Sequence, residues 1–407
     1  METQKSPLKI VVVGAGFAGI ATIKKLQKTL PNAEITLIAN KSYFEYYPAL
    51  YKLVTGALAI EVSVPIATIF PKKVTFVEGQ FETLDREQKQ VVLAGGQKIS
   101  YDYVVIALGS ETNFFNIPGL PEHSFSFKSV KEATRLKKHF CALMTTATGK
   151  IKEELVAAFH ILVVGGGPSG VELAGDLKSY LTDLAKQYAV DPSFITIDLV
   201  ESNPRVLPTL PESVSKKVDA RLRKMGVNLF LNRALQSQEM EEVALKDMTM
   251  DAHTVVWTAG TRINTSFSNI PGAELTERKR IVVSDTLTLP NDSSVFIAGD
   301  GAGTAFSGLA QTAILHGEYI GTAIPLLVAG KTPKPFSQKQ PDFVIPVGSY
   351  WAVYGGGKYT FAGLLPWILR SVIDFMYFLS IVPLGYVFGA FTQGKKYRKE
   401  KKQCPIE

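Results

Sequence analysis

The stretch Lys9–Ile20, KIVVVGAGFAGI, constrains the fold more than any other part of this sequence. The apolar run at 10–13 predicts a parallel strand that is buried on both faces. It leads into Gly14, Gly16 and Gly19 and then into a helical pattern, so G-x-G-x-x-G stands between a strand and a helix. Glycines at this spacing let the backbone turn tightly beside a pyrophosphate, which the N–H groups of the helix start can hold. The stretch therefore predicts a dinucleotide site.

The same pattern returns in the middle of the chain. Gly165, Gly167 and Gly170 follow a second Val-rich strand and open a second helical pattern. Glu201 ends the next predicted strand, where an acid suits the two ribose hydroxyls of NADH and repels the phosphate of NADPH. A plain polar strand end is the alternative, and the nearby Arg205 leaves NADPH open. Two such patterns predict two dinucleotides, one in each of two domains.

Length and charge are consistent with two domains and an appendage. The 407 residues exceed one ordinary domain. The segment 395–402, KKYRKEKK, carries +5 of the formal charge of +7, so the rest is near neutral, which argues against a nucleic-acid surface. Cys141 and Cys404 lie far apart and form no CxxC pair. We therefore expect no metal site, no dithiol redox centre and no disulfide framework.

The C-terminal stretch 367–391 is strongly apolar and aromatic. Arg370, Asp374 and Tyr377 recur at helical spacing and predict one polar face, whereas Pro383, Gly385 and Gly389 interrupt the pattern. We interpret the stretch as an in-plane amphipathic or hairpin membrane anchor, with the basic segment 395–402 against anionic headgroups. A dimer interface followed by a solvated charge run is the alternative.

Other short segments fit a ligand site less specifically. The aromatic-rich segment 42–58 is either plain core or a wall for a flat ring system. Gly109 ends a buried strand and would let a ligand approach the backbone. Asp300 stands between glycines after another short strand, where it accepts from a polyol hydroxyl or caps a helix. The N-terminus has no apolar h-region, so we expect no signal peptide and a location on the cytoplasmic face.

Read in order, the chain carries GAGFAG, FEYYPALYKLVTG, DYVVIALGS, GGGPSGVELAGDL, VVWTAGTR, VFIAGDGAG and AQTAILHG. With these motifs over about 9–392, it resembles the type II NADH dehydrogenases, single-subunit NADH:quinone oxidoreductases related to the pyridine nucleotide-disulfide oxidoreductases. The resemblance implies an α/β fold with two Rossmann-like domains, for FAD and NADH, and a C-terminal membrane-associating helical segment. We expect the FAD domain at 1–119 and 266–340, the NADH domain at 120–265 and the membrane region at 341–407.

The resemblance also implies site residues. At FAD it implies Gly14, Ala15, Gly16, Phe17, Ala18, Gly19, Ala39, Asn40, Phe81, Gly109, Asp300, Ala310 and Gln311. At NADH it implies Gly165, Gly167, Pro168, Gly170 and Glu201, and Gly260 is a further expected cofactor-binding position. Glu172 matches the family's glutamate near the nicotinamide and is the expected catalytic residue. Its alternative role is a partner of the helix dipole in the first turn.

Two positions depart from the family pattern. Ala39 stands where the family usually has an acid, and Leu315 replaces the second glutamine of A-Q-x-A-x-Q, which is expected near the quinone head. His316 is a substitute donor, although helical neighbours point about 100° apart.

The implied activity is the transfer of two electrons from NADH through FAD to a membrane quinone, without proton pumping, in respiratory electron transport. The expected partners are NADH, quinone and a membrane surface contacted peripherally through 363–402, and a homodimer stays open. An apoptosis-inducing-factor-like redox or signalling flavoprotein, or another FAD-dependent reductase, is the alternative. A sulfide:quinone reductase would need a cysteine pair beside the flavin.

Overall fold

The computed structural model describes residues 6–147, 149–399 and 404, without the side chains of 391 and 395–399. The strands are β1 Lys9–Val13, β2 Glu34–Ala39, β3 Tyr43–Glu45, β4 Ser63–Pro65, β5 Thr75–Glu78, β6 Phe81–Asp85, β7 Gln90–Leu93, β8 Lys98–Ser100, β9 Tyr103–Ile106, β10 Ser110–Thr112, β11 Phe125–Ser126, β12 His160–Val164, β13 Thr196–Glu201, β14 Val227–Leu231, β15 Leu235–Glu239, β16 Glu242–Leu245, β17 Met248–Asp251, β18 Thr254–Trp257, β19 Thr261–Ile263, β20 Thr288–Leu289, β21 Asp292–Ile297, β22 Phe343–Pro346, β23 Ala352–Gly356 and β24 Tyr359–Gly363.

The helices are α1 Phe17–Thr29, α2 Leu50–Val54, α3 Ile66–Ile69, α4 Leu120–His123, α5 Val130–Thr145, α6 Lys152–Ala158, α7 Pro168–Gln187, α8 Glu212–Lys224, α9 Ala310–Val328, α10 Leu364–Ile381 and α11 Leu384–Lys399.

The first sheet has the order β20-β21-β9-β1-β2-β5. All neighbours pair in parallel except β20, which is antiparallel to β21 at the edge. The central strand β1 is fully covered, with Ile10 and Val12 completely buried. The predicted buried parallel strand at 10–13 is therefore confirmed, because side chains on both faces of a central strand need apolar partners.

The second sheet is wholly parallel and has the order β11-β18-β12-β13-β14. Its strands fall between β10 and β19, and those two strands pair antiparallel with Ser110 opposite Ile263 and Thr112 opposite Thr261. The chain thus leaves the first sheet and returns to it through two adjacent strands. The predicted α/β class is confirmed.

Helices α1 and α9 pack closely against each other and fix the elements that carry the first glycine loop. A side chain at Gly317 would collide with the backbone of α1 near Ala18 and Thr22, so glycine is needed for this approach. The hydroxyl of Thr29 also donates to the carbonyl of Gly321 at 2.8 Å. The two helix starts are therefore held on the same side of the first sheet.

The C-terminal region is a three-stranded antiparallel sheet, β22-β23-β24, followed by α10 and α11. Helix α10 turns an apolar face outward, with Leu365 73% and Met376 59% exposed, whereas Asp374 is buried. Among the described residues, α10 is the one helix whose length and composition would let it cross a membrane.

The predicted polar face of α10 packs into the protein, where its charged side chains find buried partners. One expectation for this region needs correction. Pro383 lies between the two helices, but Gly385 and Gly389 lie inside α11 rather than interrupting it. The basic segment 395–402 is described only for the backbone of 395–399, and the rest of it lies outside the described residues.

A disulfide joins Cys141 on α5 to Cys404, across 263 residues of sequence. Both cysteines are buried. The prediction that the two cysteines form no disulfide is therefore wrong. Distance along the sequence is a poor guide here, because Cys404 lies against α5 in the folded protein.

Candidate functional site

The first glycine loop is an open cradle between β1 and α1. Gly14 has a φ of +110° and its N–H donates to the carbonyl of Ile38 at 2.8 Å. The carbonyl of Ala107 occupies the space that a Cβ at Gly14 would need, and the carbonyl of Gly14 does the same at Gly19. At Gly16, by contrast, nothing lies within 4 Å of a Cβ position. Two of the glycines therefore serve packing, and the third leaves room for a ligand.

The second loop repeats this geometry between β12 and α7. Gly165 has a φ of +116° and its N–H donates to the carbonyl of Val200 at 2.8 Å. The carbonyl of Gly165 blocks a Cβ at Gly170, whereas the space beside Gly167 is open. Pro168 is the first residue of α7, where its missing N–H costs no hydrogen bond. Both loops thus present the N–H groups of a helix start to an open cradle, which suits a pyrophosphate.

The remaining positions of the first loop line the start of α1. Ala15 is half-buried, whereas Phe17 and Ala18 are buried in the core. The side chain of Phe17 packs edge-on against Phe44, with ring centroids 5.1 Å apart. The first loop is therefore coupled to the aromatic-rich segment.

Three expected positions gather at the carboxyl end of β2. Ala39 is the buried last residue of that strand, and Asn40 directly after it is exposed. The N–H of Gly79 donates to the carbonyl of Ala39 at 2.9 Å, which brings the start of β6 and its buried Phe81 to the same edge. A ribose bound at this edge would meet the amide of Asn40, which can form hydrogen bonds but carries no charge.

Asp300 lies in the tight 3₁₀ turn Gly299–Gly301, after β21. Its carboxylate accepts a hydrogen bond from the hydroxyl of Ser110, and its carbonyl accepts from Arg280 Nη1 at 3.2 Å. The residue at the cap position of this turn is Ala298, so the helix-cap alternative for Asp300 does not apply. Ser110 is a site residue that no sequence motif indicated, although it directly follows Gly109.

This turn meets the starts of α1 and α9. A Cβ at Gly299 would lie 3.5 Å from the Cβ of Ala18 and 3.6 Å from that of Ala313. Helix α9 begins at Ala310, which is half-buried, and the side chain of Gln311 is exposed. The structure therefore brings the first loop, the Asp300 turn and the start of α9 together. Gly109 lies in the short connection between β9 and β10, with a φ of +70° and open space beside it.

The side chain of His316 stabilises the turn Gly299–Gly301 through a hydrogen bond. Its ring is fully buried, Nδ1 accepts from the N–H of Gly299 at 3.1 Å, and Nε2 lies 3.2 Å from the hydroxyl of Thr304. Burial lowers the pKa of His316 to about 4, so the ring is neutral at physiological pH. Both nitrogens are engaged by groups of the protein itself. The expectation that His316 donates to a quinone in place of Leu315 is therefore wrong.

Glu201 is held at the end of β13 by the second loop itself. Its Oε2 accepts from the N–H of Gly166 at 2.7 Å, and Oε1 accepts from the N–H of Asn203 at 2.8 Å and from Nδ2 of Asn203 at 2.6 Å. The carboxylate is buried beside the glycine loop. This is more than a polar strand end, because the loop that would hold a pyrophosphate is bonded to it.

Arg205 points away from Glu201. Its Nη1 donates to the carbonyls of Leu207 and Leu210 at 3.1 and 2.9 Å, and its Nη2 donates to that of Pro208 at 2.6 Å. The guanidinium thus stabilises its own loop and is not presented to a 2′-phosphate. This geometry favours NADH over NADPH.

Gly260 lies where the chain crosses back to the first sheet. Its carbonyl accepts from the N–H of Asn113 at 3.0 Å, and Phe115 fills the space beside its Cα. The glycine therefore permits a close approach of two chain segments, and the space beside it is taken by protein atoms.

Glu172 is buried on α7, and its surroundings differ from the expected ones. Helix α7 begins at Pro168, so Glu172 lies one residue beyond the first turn and the dipole interpretation loses its basis. The side chain faces α10, with its Oε1 3.7 Å from Arg370 Nη1. Burial raises the pKa of Glu172 to about 8, against the opposing effect of the nearby guanidinium. Glu172 therefore holds a proton at neutral pH.

A second carboxyl, the half-buried Asp176, follows one turn later. Burial raises the pKa of Asp176 to about 6, although Lys52, the hydroxyl of Thr55 and the N–H of Gly348 oppose that shift. Residues four apart lie on one face of a helix, so Glu172 and Asp176 face the same neighbours. The sequence motif GVELAGDL contains both carboxyls, and the second one was overlooked.

The aromatic-rich segment provides both core and surface. Phe44 and Tyr46 are buried and pack with Tyr377 of α10, which stacks on Tyr46 at a centroid distance of 5.4 Å. Tyr47 is exposed, and its hydroxyl donates to Glu45 at 3.3 Å. The segment thus links the first loop to α10.

The chain is similar to known proteins over most of its length. The profile of the pyridine nucleotide-disulphide oxidoreductases matches residues 8–317. A type II NADH:quinone oxidoreductase of Staphylococcus aureus (strain bovine RF122 / ET3-1) is 30% identical, over 95% of this chain and 98% of that protein. The protein of the same name from strain MSSA476 gives the same values.

Solved structures are similar over almost the whole chain. NDH2 from Plasmodium falciparum in complex with NADH has a TM-score of 0.86 at 17% identity and covers 98% of this chain and 99% of its own. The sulfide:quinone oxidoreductase from Aquifex aeolicus has a TM-score of 0.77 at 20% identity, over 97% and 96%. At these identities the similarity concerns the fold alone.

Proposed function

Because this chain belongs to the type II NADH:quinone oxidoreductases, within the pyridine nucleotide-disulphide oxidoreductase family, we propose that it oxidises NADH and reduces a quinone. The balanced reaction is NADH + H⁺ + quinone → NAD⁺ + quinol, so two electrons and two protons reach the quinone. FAD, when bound, supplies the chemistry that accepts a hydride and passes on its electrons. The chain's own residues bind, orient and shield the reactants.

The first sheet and its loops form the FAD domain of this proposal, over about 1–119 and 266–340. The open space at Gly16 and the start of α1 fit the pyrophosphate. The carboxylate of Asp300, beside Ser110, accepts from the hydroxyls of the ribityl chain. Asn40 reaches the adenosine ribose, with Ala39 and Phe81 at the same edge.

The second sheet forms the NADH domain, over about 120–265. The loop Gly165–Gly170 holds the pyrophosphate, and Glu201 accepts from the ribose hydroxyls. Glu172 holds a proton at its carboxyl, in a buried position between α7 and α10, from which a quinone oxygen can draw it. Two Rossmann-like domains thus serve two nucleotides.

The C-terminal region, 341–407, forms the membrane contact. The outward face of α10 is apolar over its length, and a quinone enters the protein from the lipid on that side. The inward polar face leaves no charge to resist lipid insertion of the outward face. We propose peripheral attachment, on the cytoplasmic face, with α10 in the plane of the bilayer.

One observation carries the proposal: two glycine loops of the same geometry, each at a helix start, with Glu201 bonded to the second one. The test mixes FAD-loaded protein with NADH without oxygen and then adds a short-chain quinone, while flavin absorbance is recorded. Bleaching by NADH and fast recovery with quinone support the proposal. A flavin that NADH does not bleach overturns it.

The same mixing experiment separates the rivals. Recovery that needs a protein acceptor, with no response to quinone, would favour a signalling flavoprotein. Bleaching by sulfide alone would favour a sulfide:quinone reductase, for which Cys141 and Cys404 are the cysteine pair to consider. We expect sulfide to leave the flavin oxidised, because that pair joins α5 to the chain end and neither cysteine lies on a glycine loop or at the Asp300 turn.

A further inference from the structure

A buried carboxylate with three protein donors lies on the inner face of α10. Asp374 is 3% exposed and accepts three hydrogen bonds. They come from the hydroxyl of Tyr46 at 2.7 Å, from Lys52 Nζ at 2.7 Å and from Arg370 Nε at 2.9 Å. Arg370 and Asp374 are the only charged residues of this helix, and both are turned inward, away from its apolar face.

These bonds fix the guanidinium of Arg370. While Nε is bonded to Asp374, Nη1 donates to the carbonyl of Val344 at 3.1 Å and Nη2 donates to that of Pro48. Three segments of the chain therefore hold the Arg370 side chain. Any rotation about its χ angles would break at least one of these three hydrogen bonds. In this orientation Nη1 stands 3.7 Å from Oε1 of Glu172.

We propose that Asp374 is a positioning residue for quinone reduction, which holds Arg370 and Lys52 so that a fixed pair of cations faces Glu172. The inference rests on the proposed function. Asp374 acts through its neighbours, since its buried carboxylate is bonded to three protein donors.

The location assigns this role to the quinone half of the reaction. Asp374 lies on the helix whose other face is apolar and exposed, which is where a lipophilic acceptor arrives. Its hydrogen-bond partners come from α10, the aromatic-rich segment and α2, and none comes from the second glycine loop or from Glu201. The NADH half of the reaction should therefore be insensitive to Asp374.

The charges around Glu172 determine in which direction each substitution should shift its pKa. The groups that face it are Arg370 and Asp374 from α10, Asp176 from its own helix, and Lys52 and Tyr51 from α2. Beyond burial itself, Arg370 and Lys52 lower the pKa of Glu172, whereas Asp176 and Asp374 raise it. Removing the charge of Asp374 must lower that pKa, and removing the charge of Lys52 must raise it.

The test compares Asp374→Asn and Lys52→Met with the parent holoenzyme in two separate half-reactions. Flavin reduction by NADH should stay within about twofold of the parent in both variants. The alkaline limb of quinone-driven flavin reoxidation should move to lower pH in Asp374→Asn and to higher pH in Lys52→Met. At about pH 8 the reoxidation rate of Asp374→Asn should fall about fivefold, because lowering a pKa of about 8 by about one unit reduces the protonated fraction from about one half to about one tenth.

An infrared titration gives a readout that does not depend on turnover. The carbonyl band of the protonated carboxyl, assigned by its loss in Glu172→Gln, should titrate at lower pH in Asp374→Asn and at higher pH in Lys52→Met. Asp374→Glu should restore the parent value. Tyr46→Phe removes one donor without changing charge and should leave the titration in place.

Coincident pH profiles in the parent, Asp374→Asn and Lys52→Met would overturn the inference, as would shifts of the same sign in both variants. If Asp374→Asn does not fold, Lys52→Met decides the question, because Lys52 lies at the surface with its side chain 36% exposed. Failure of the proposed function is distinguishable, since the parent protein would then not be reduced by NADH or reoxidised by quinone.

Discussion

The N–H of Gly166 donates to Oε2 of Glu201 at 2.7 Å, so the second glycine loop and the end of β13 are joined where a ribose would lie. Glu201→Gln removes the charge that favours ribose hydroxyls. We expect kcat/KM for NADH to fall about tenfold or more, since a hydrogen bond to a charged group contributes about 1.5–3 kcal/mol.

NADPH should remain a poor hydride donor for the Glu201→Gln variant. The guanidinium of Arg205 donates to backbone carbonyls and is therefore not available to a 2′-phosphate. Steady-state kinetics with both nucleotides checks this. A variant that gained NADPH activity would show that Arg205 is free to bind a phosphate.

The first glycine loop offers a matched pair of substitutions. Gly16→Ala places a methyl group in open space, so the protein should fold normally and lose FAD affinity. Gly19→Ala collides with the carbonyl of Gly14, so the protein itself should be destabilised. Bound flavin per chain and the thermal midpoint separate the two effects, and equal flavin loss with equal destabilisation would contradict the assignment.

Glu172 should make stability depend on pH. Burial raises its pKa to about 8, so the folded protein keeps a proton that the unfolded chain loses. The free energy of unfolding should therefore fall as pH rises from about 4.5 to about 8, since the folded state binds more protons in that range. Urea unfolding at constant ionic strength should give a flatter pH profile for Glu172→Gln. The exposed Glu153 on α6 provides the control substitution Glu153→Gln, which should leave the profile unchanged.

The outward face of α10 should determine membrane binding. Leu365→Glu adds a charge to the apolar face, and flotation with anionic vesicles should show binding reduced about tenfold or more, from lost apolar burial and added repulsion. Turnover with a quinone embedded in the vesicles should fall, whereas turnover with a short-chain quinone should not. Met240→Glu, at a 76% exposed position in the turn between β15 and β16, is the control that should bind normally.

The disulfide between Cys141 and Cys404 should be detectable and stabilising. In denaturant, alkylation should label neither cysteine before reduction and both after it. Cys404→Ser should lower the free energy of unfolding by about 2–4 kcal/mol, because the bond restricts the unfolded chain. Labelling of both thiols without a reductant would show that the bond does not form.

Those parts of the candidate site that short sequence segments encode could be predicted from the sequence. The strand–glycine–helix motifs predicted both cradles, because close packing at Gly19 and Gly170 imposes residue identity at a fixed spacing. Glu201 was found for the same reason, since it follows the motif by one strand. The position of Asp300 between glycines after a strand indicated a polyol contact, whereas the role of Glu172 came from the family resemblance.

Contacts between distant segments could not be predicted in the same way. Asp374 lies 322 residues from Lys52 in sequence, and their ion pair exists only after α10 docks. The disulfide between Cys141 and Cys404 was not predicted for the same reason, because the two cysteines are 263 residues apart in sequence. The spacing of Arg370 and Asp374 did reveal one polar face, but periodicity cannot say whether that face meets water or protein.

The placement of the second sheet between β10 and β19 sets an order of events during synthesis. Strand β9, Tyr103–Ile106, needs β21, Asp292–Ile297, as its neighbour. The five strands of the second sheet are all complete once Trp257 has left the ribosome. The segment made later can therefore finish folding first, whereas the N-terminal sheet keeps an open edge at β9 until nearly three-quarters of the chain has been translated. In the cell, the hazard for this protein lies in that waiting period, when the open edge can pair with other chains.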